Sequence, residues 1–228
     1  MRVERNFAFI DLSGFSALTE AEGDERAVSL LTEFRARVRD ICSRRGVRIA
    51  KWLGDGAMLV NVEATPVLAS ILELQGAVGR GDGPAGIRCG ASAGAVILLE
   101  GDDYIGHSVN VAARLCDLAR SGEVLVASGM VDHLPRWASV RGTAETAVRG
   151  LENPIPVARV GFRPLDGPSV PDPVCGIALT RAVAEAVDRD PVGEEVLFCS
   201  LSCHDTWQRR PRPAPEGQGS LRTPLIGS

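Results

Sequence analysis

Apolar and polar residues follow two different periods along most of the chain. From Asp24 to about Arg44, apolar residues recur every three or four positions between charged ones, which predicts an amphipathic helix. Its apolar members are Val28, Leu31, Phe34, Val38 and Ile41. Other apolar runs are shorter and denser, which is typical of buried strands. These runs are Asn6 to Leu12, Val47 to Leu53, Ala57 to Val62, Ile87 to Glu100, Val124 to Ala127 and Val157 to Phe162.

The segments between these runs predict how the runs are connected. Gly54-Asp55-Gly56 separates the second run from the third, and an Asp-Gly turn there predicts an antiparallel hairpin. Further helices are expected after Ser13-Gly14, over Pro66 to Val78 and from near Ser108, with a loop over Gly79 to Gly86. Because strands and helices interleave, we predict an α+β fold with the sheet covered on one face.

The composition of the chain changes after Phe162. Four prolines follow within a short stretch, at positions 164, 168, 171 and 173, and predict a stiff linker. A small segment containing cysteines comes next, and the chain ends in a stretch rich in Pro, Arg and Gly that we expect to be disordered. The predicted division is a main domain over 1–162, a linker over 163–170, a Cys domain over 171–207 and a tail over 208–228.

Composition excludes some classes of partner. Hydrophobic residues make up 45% of the chain and charged residues 24%, the balance of a folded globular protein. A net charge of −4 and a pI near 5.5 argue against nucleic acid as a partner. Neither an export signal nor an apolar run long enough to span a membrane is evident, so we expect a cytoplasmic protein with no membrane partner.

The six cysteines are expected to be buried thiols or metal ligands rather than disulfides, because no export signal is evident. Cys42, Cys89 and Cys116 occur singly inside predicted core elements. We interpret these three as small buried core residues.

Two aspartates are candidates for binding a metal. Asp11 ends the first predicted strand and Asp55 lies in the hairpin turn, so both carboxylates could meet at one edge of the sheet. Paired carboxylates beside phosphate are a common way to hold Mg²⁺. Taken separately, Asp55 is equally a good turn residue and Asp11 a favourable acid before a helix.

Three further polar residues stand out. Lys51 lies inside an otherwise apolar strand, where an unpaired ammonium group is costly unless it reaches solvent. Asn110 and Arg114 are four residues apart and therefore share one helix face, which by itself is most often just solvated.

Together these segments resemble the class III nucleotidyl cyclases. The family's motifs are aromatic-x-Asp-x-x-Gly-Phe, Lys-x-x-Gly-Asp-Gly and Asp-x-x-Gly-x-x-Val-Asn-x-Ala-x-Arg. They match Phe9 to Phe15, Lys51 to Gly56 and Asp103 to Arg114, in this order, and the resemblance covers about residues 5 to 162. It implies a ferredoxin-like βαββαβ core with extra strands and an enzyme that converts ATP to 3′,5′-cyclic AMP and diphosphate in intracellular signal transduction.

The resemblance also implies a role for each matching residue. Asp11 and Asp55 would bind two Mg²⁺ or Mn²⁺ ions, with the backbone carbonyl of Leu12 completing one coordination shell. Lys51 and Asp103 would recognise the base. Adenine presents an acceptor at N1 and a donor at N6, which suit a lysine and an aspartate, so ATP is favoured over GTP.

Asn110 would orient the ribose, and Arg114 would offset charge on the transition state, since a forked cation matches phosphate oxygens. In the family, the metal acids come from one subunit and the other site residues from its partner. All six positions are intact here, so a homodimer would carry two complete sites. The short segment from Leu115 to Glu123 suggests a reduced dimerisation arm and weak dimerisation.

The segment over about 171–207 resembles the YHS family of small, presumed metal-binding domains. It begins with Asp-Pro-Val-Cys-Gly from Asp172 and ends with Phe-Cys-Ser-x-x-Cys from Phe198. The resemblance implies that its three cysteines bind Zn²⁺ or a softer metal, with Asp172, His204 or water as a fourth ligand. The three cysteines are Cys175, Cys199 and Cys203.

This segment departs from the YHS pattern at two places. Ile177 stands where a methionine is usual, and Val196-Leu197 replace an aromatic pair. A reduced, metal-free hydrophobic minidomain is therefore the alternative.

Two other functions compete with an active enzyme. One is a catalytically silent cyclase domain that binds nucleotide and regulates a relative. The other is a metal-responsive module, in which occupancy of the cysteines shifts the dimer equilibrium. Intact Asp11, Asp55 and Arg114 favour the enzyme.

Overall fold

The computed structural model describes residues 1–78, 86–99 and 103–210. Its larger part is one sheet of eight strands with helices on it. The strands are β1 (Arg2–Leu12), β2 (Arg48–Leu53), β3 (Gly56–Asn61), β4 (Ile87–Leu98), β5 (Tyr104–Ile105), β6 (Val124–Ala127), β7 (Ala138–Thr146) and β8 (Ile155–Phe162). The helices are α1 (Phe15–Glu22), α2 (Asp24–Arg44), α3 (Ala64–Val78) and α4 (His107–Leu118), and a 3-10 helix covers Ser128–His133.

The order of strands confirms the predicted α+β class. The sheet runs β2-β3-β1-β4-β6-β8-β7, with β5 beside β4. Its first four strands, with α2 and α3 as connections, form a βαββαβ unit of the ferredoxin-like kind. All neighbours are antiparallel except β4 and β6, which are parallel.

Most predicted elements are present, with different ends. Helix α2 and strand β6 have the predicted bounds, whereas β1 begins earlier, at Arg2, and β4 ends at Leu98. Strand β7 was not predicted, because most of its residues are exposed or half-buried and provide no apolar run. The predicted loop over Gly79 to Gly86 lies outside the described residues except for Gly86.

Side chains of β1 alternate between two apolar clusters. Ala8, Ile10 and Leu12 point into the cluster that contains the buried residues of α2 and α3. Phe7 and Phe9 belong to a second cluster, which includes Ala112 of α4. The expectation that the sheet is covered on one face was therefore wrong, since α4 lies on the face opposite α2 and α3.

A glycine allows α4 to lie so close to the sheet. A Cβ atom on Gly90 of β4 would lie 2.1 Å from the backbone nitrogen of Cys116 and 2.3 Å from the carbonyl oxygen of Ala112. The backbones of β4 and α4 are therefore in direct contact at this point. Only a residue without a side chain fits there.

The C-terminal segment packs on the main sheet's helical layer. It contains the strand pairs β9 (Val170–Pro171) with β10 (Ala178–Leu179) and β11 (Ala186–Arg189) with β12 (Glu195–Phe198), followed by α5 (Leu201–Gln208). Its buried Ile177, Leu179 and Phe198 belong to the same apolar cluster as α2 and α3. The division into domains stays a prediction, and the two parts share a packed interface.

The structure covers the predicted linker before this segment and the first residues of the predicted tail after it. Residues 163–169 have no regular secondary structure. Helix α5 extends to Gln208, one residue into the predicted tail, and residues 211–228 lie outside the described part of the chain.

Replacing Gly90 with alanine should separate α4 from the sheet. The added methyl group meets backbone atoms that cannot rotate away, so we expect Gly90→Ala to lower the free energy of unfolding by about 1–3 kcal/mol or more. Gly129→Ala is the control, because a Cβ atom there would meet nothing within 4 Å. Chemical denaturation measures both, and equal stability of the two variants would contradict the close contact.

Candidate active site

Asp11 and Asp55 meet at the end of the sheet where β2 turns into β3. Asp11 pairs in register with Gly56, and the backbone N–H of Leu12 donates to the carbonyl oxygen of Asp55 at 3.4 Å. A Cβ atom on Gly56 would lie 2.5 Å from the carbonyl oxygen of Ile10 and 3.1 Å from Asp11 Oδ1. The glycine after Asp55 therefore lets the turn lie against Asp11.

The two carboxylates influence each other. The pKa of Asp55 is raised above its ordinary value, first by burial and then by the negative charge of Asp11. A cation between them would relieve both causes. Such a pair of carboxylates, flanked by the backbone of Leu12, fits the oxygen ligands that Mg²⁺ and Mn²⁺ prefer.

Arg88 is a site residue that the sequence analysis missed. It pairs in register with Asp11 across β1 and β4, and its Nε and Nη2 atoms lie 2.8 Å and 2.6 Å from Asp11 Oδ2. The only local signal was an arginine between the buried residues Ile87 and Cys89. Its partner is distant in sequence, so the pair became visible only in the sheet.

Lys51 and Asp103 form an ion pair within one chain. Lys51 Nζ lies 2.7 Å from Asp103 Oδ1, and their side chains are 43% and 44% exposed. Hydrogen bonding from Lys51, and then from the backbone N–H of Tyr104, lowers the pKa of Asp103. The structure thus brings together the two residues that were predicted to recognise the base, and it leaves them accessible.

Asn110 and Arg114 lie on the exposed side of α4. The opposite side of the helix buries Val111, Ala112 and Leu115. Arg114 Nη1 lies 3.3 Å from Asp117 Oδ2, one turn further along. The predicted sharing of one helix face is confirmed.

The candidate residues form separate groups. Among the described residues, no hydrogen bond or ion pair joins Asp11, Asp55 or Arg88 to the pair of Lys51 and Asp103. Beside Asp11 lies a depression of about 160 Å³, between the sheet and α4. Pockets that enclose a small ligand usually measure about 300–1,000 Å³, so a nucleotide would not be enclosed there by one copy.

A second group lies in the C-terminal segment. Ligand atoms of Asp172, Cys175, Cys199 and Cys203 all lie within 4.8 Å of one another. The Sγ atom of Cys199 lies 3.4 Å from that of Cys175 and 3.6 Å from that of Cys203. His204 is not part of this group, because its Nε2 lies 2.9 Å from Asp188 Oδ2.

Thiols in this group share protons unequally. Hydrogen bonds from Cys175 and Cys199 lower the pKa of Cys203 to about 4, and hydrogen bonds to Cys199 and Cys203 raise that of Cys175. The backbone of Cys203 also lies in the first turn of α5, where negative charge is favoured. Cys203 therefore loses its proton more readily than Cys175 does.

The remaining cysteines have no such arrangement. All six cysteines are free thiols. Cys42 and Cys89 lie in the apolar cluster under α2 and α3, and Cys116 is buried between α4 and β4, where its Sγ donates to the carbonyl oxygen of Arg88 at 3.4 Å. The prediction that these three are buried residues is confirmed. Burial is the largest cause that raises the pKa of each of these three thiols.

No family model matches the chain. A search of solved structures finds the guanylyl cyclase Cya2, which superposes with a TM-score of 0.63 at 22% identity over 72% of this chain and 94% of that one. The fold is that of a nucleotide cyclase catalytic domain. At this identity the likeness concerns the fold alone.

Curated relatives add sequence similarity. An uncharacterised protein of Mycobacterium tuberculosis is 35% identical over 147 residues, which are 64% of this chain and 38% of the relative. The pH-sensitive adenylate cyclase of Mycobacterium tuberculosis is 34% identical over 127 residues, which are 56% of this chain and 32% of that protein. The cyclase-like domain therefore has adenylate cyclases among its homologues, and the chain spans roughly a third of these two proteins.

No described helix is both long and apolar enough to cross a bilayer.

Replacing Asp55 with asparagine should remove metal binding without harming the fold. The raised pKa means that ionised Asp55 disfavours the folded state, a penalty that appears as the pH rises above the pKa of a free aspartate, about 3.9. Asn-Gly also suits the turn. We expect the melting temperature of Asp55→Asn without metal to equal or exceed that of the native chain at pH 7.

Calorimetry with and without Mg²⁺ measures this. The native chain should melt at a higher temperature with Mg²⁺, and the variant should not respond. Asp132→Asn, at an exposed position in the 3-10 helix, serves as the control and should respond like the native chain. A large loss of stability in Asp55→Asn without metal would contradict the assignment.

Proposed function

We propose that the chain is the catalytic domain of an adenylate cyclase, which converts ATP to 3′,5′-cyclic AMP and diphosphate. The main support is the geometry around β1, where Asp11 and Asp55 meet while Lys51 and Asp103 form a pair on a neighbouring part of the sheet. All the residues that such a reaction requires are present in one chain. Similarity to adenylate cyclases favours the same reaction.

Asp11, Asp55 and the backbone of Leu12 are the groups that would hold the divalent ions. When bound, Mg²⁺ or Mn²⁺ lowers the pKa of a hydroxyl group and neutralises phosphate oxygens, which is the chemistry that attack of the 3′-hydroxyl on the α-phosphate requires. The protein's own contribution is to position the triphosphate and to neutralise its charge.

Arg88 pairs with Asp11 in this structure and could pair with a triphosphate when substrate is bound. Its guanidinium occupies Asp11 Oδ2 in this structure. If Asp11 binds a cation, its ion pair with Arg88 contributes less stabilisation, and the guanidinium of Arg88 becomes available to another anion. Arg88 lies on the same face of the sheet as Asp11. A planar cation with several donors matches the oxygens of a triphosphate. We therefore assign Arg88 to triphosphate binding.

The base is assigned to Lys51 and Asp103. Their ion pair is accessible, so the ammonium group can donate to N1 of adenine while the carboxylate accepts from the N6 amino group. Guanine presents the reverse pattern at the corresponding edge. A site built for one pattern of hydrogen bonds rejects the other base, because buried polar groups remain unpaired.

Two copies of the chain are needed for one site. In the described part of one copy, no hydrogen bond or ion pair joins Asp11 or Asp55 to Lys51 or Asp103, and the depression of about 160 Å³ beside Asp11 is too small for a nucleotide. We infer a homodimer in which Asp11 and Asp55 of one copy face Lys51, Asp103, Asn110 and Arg114 of the other. Arg114 would then meet the charge that develops on the α-phosphate, as a preorganised cation.

Complementation of two inactive variants tests shared sites. Asp11→Ala and Arg114→Ala should each lose at least about 100-fold in turnover, because each disables both sites of its own homodimer. A mixture of the two should regain activity, since each heterodimer has about one intact site. The measurement is cyclic AMP production from ATP at a fixed total protein concentration.

The same assay with GTP measures the preference for the base, and a dilution series of the protein tests whether activity depends on dimer formation. Activity per molecule should rise with protein concentration if the dimer forms weakly. Formation of heterodimers is checked with differently tagged chains. Absence of rescue in verified heterodimers would contradict shared sites, and inactivity of the folded native chain at every concentration would contradict the enzyme.

Replacing Lys51 with glutamine should weaken the preference for ATP. The variant keeps a donor but loses the charge, so we expect kcat/KM for ATP to fall about 10- to 100-fold while the smaller rate with GTP changes less. Arg159→Gln is the matched control, because Arg159 also forms a partly exposed ion pair on this sheet, with Glu123 at 3.1 Å. An unchanged ratio of the two rates in Lys51→Gln would remove Lys51 from base recognition.

A further inference from the structure

The turn that carries Asp55 is held by the sheet on one side only. It consists of Gly54 and Asp55, between the last residue of β2 and the first residue of β3. Strand β2 lies at the edge of the sheet, and its register with β3 shifts between Ile49 and Lys51. An edge strand with such an irregularity constrains the turn that follows it less than a central strand does.

Arg35 of α2 binds this turn from outside the sheet. Its Nη2 atom donates to the carbonyl oxygen of Gly54 at 2.9 Å. In the described part of the chain, this is the one hydrogen bond that the guanidinium of Arg35 makes, and its Nε is buried without a partner. The turn therefore has a second support, which comes from a helix.

Trp52 fixes the direction of the Arg35 side chain. The guanidinium carbon of Arg35 lies 5.1 Å from the ring centre of Trp52, and that of Arg39, one helical turn further along, lies 5.2 Å from it. A cation at this distance over an aromatic ring is attracted to the ring. Trp52 is half-buried and packs against the main core. The donor to Gly54 is therefore a side chain whose position is set by a rigid neighbour.

The hydrogen bond from Arg35 orients the peptide unit that leads into Asp55. A peptide unit is planar, so a group that fixes the carbonyl oxygen of Gly54 also fixes the N–H of Asp55 at the other end of the same unit. This N–H interacts with the Asp55 carboxylate and partly offsets the rise that burial causes in its pKa. No side chain among the described residues donates to that carboxylate, so the backbone of the turn sets its direction.

Arg35 lies apart from the candidate substrate surface. The depression beside Asp11 is lined by residues of β1, β4 and α4 and by the neighbours of the turn, and Arg35 is not among them. Helix α2 packs on the face of the sheet that carries Ile10, and Asp11 lies on the opposite face because side chains of a strand alternate. Arg35 therefore acts on the turn and not on a ligand in the depression.

We propose that Arg35 is a positioning residue for the candidate metal site. By binding the carbonyl oxygen of Gly54, it holds the Asp55 carboxylate beside Asp11 for binding of a divalent ion. This inference rests on the proposed function, because it takes Asp55 as a ligand of that ion. Groups that orient a metal ligand without touching the metal typically change affinity about 10- to 100-fold.

Arg35→Met and Arg39→Met are a matched pair of variants. Each removes one guanidinium group from the ring of Trp52, whereas Arg35→Met also removes the hydrogen bond to Gly54. Among the described residues, Arg39 makes no hydrogen bond to the turn. We expect similar melting temperatures for the two variants without metal, so that a difference in metal binding is not a difference in folding.

Titration of the full-length chain with Mn²⁺ measures affinity without substrate. Electron paramagnetic resonance reports the free ion, and Mn²⁺ prefers carboxylates to the thiols of the C-terminal segment. We expect Arg35→Met to bind Mn²⁺ about 10- to 100-fold more weakly than the native chain, and Arg39→Met to bind it as the native chain does. Arg35→Lys keeps a donor and should recover part of the loss. Equal affinities of Arg35→Met and Arg39→Met would contradict the proposal.

Turnover separates positioning from a general loss of folding. The concentration of Mn²⁺ that gives half the maximal rate should rise about 10- to 100-fold in Arg35→Met. The kcat at saturating Mn²⁺ and the KM for ATP should stay close to their native values, because Arg35 does not contact substrate. A lower kcat at every concentration of Mn²⁺, with an unchanged half-saturating concentration, would show that Arg35 acts only through folding.

Asp55→Asn distinguishes failure of this inference from failure of the proposed function. If Asp55→Asn binds Mn²⁺ as the native chain does, the metal site is wrong and the role of Arg35 is wrong with it. Binding that depends on Asp55 but is unchanged in Arg35→Met would contradict the role of Arg35 alone. Binding that depends on both residues in a chain without turnover would support the role of Arg35 and contradict the cyclase.

Discussion

The pairing of β1 between β3 and β4 is the constraint on which the candidate active site depends. In this register Asp11 lies between Gly56 on one side and Arg88 on the other. A shift by one residue would turn Asp11 toward the cluster under α2 and α3, because side chains of a strand alternate between faces. The same shift would move Phe7 and Phe9 away from α4. Packing on both faces of the sheet therefore holds the acid in position.

The candidate active site is electrostatically incomplete in this structure. The charge of Asp11 is neutralised by Arg88. The ionised form of Asp55 is disfavoured by burial and by the negative charge of Asp11. Lys51 and Asp103 neutralise each other instead of a ligand. In the proposed complex with metal and ATP, each of these groups would gain a partner of opposite charge or a hydrogen-bond partner, which is the arrangement expected of a preorganised binding site.

A buried network connects the two parts of the chain. Glu73 of α3, Arg44 and Arg45 at the end of α2 and Cys199 form a continuous set of ionic and hydrogen-bonded contacts. Helix α2 also contacts the hairpin that carries Asp55, since Arg35 Nη2 donates to the carbonyl oxygen of Gly54 at 2.9 Å. The C-terminal segment is thus anchored on a helix that supports the candidate active site.

Local features of the sequence were sufficient to predict most helices and strands of the main domain. Helix α2 was predicted with its observed ends because its period of apolar residues extends over many turns, and the hairpin was predicted from one Asp-Gly pair. Strand β7 was missed because most of its residues are exposed or half-buried. The expectation of one covered face was wrong because the apolar period of a helix shows that the helix has a buried face, and not which face of a sheet it packs on. Gly90 permits the close packing of α4 on the face opposite α2 and α3.

By itself, the sequence determined which chemical groups the protein has and on which helices, strands and turns they lie, because periodicity and turn chemistry act over a few residues. Only the tertiary structure decided which groups meet. Arg88 lies 77 residues from Asp11, and Arg45 lies 154 residues from Cys199. Contacts over such separations depend on strand register and on how the helices and the C-terminal segment pack, and no local pattern of residues specifies either.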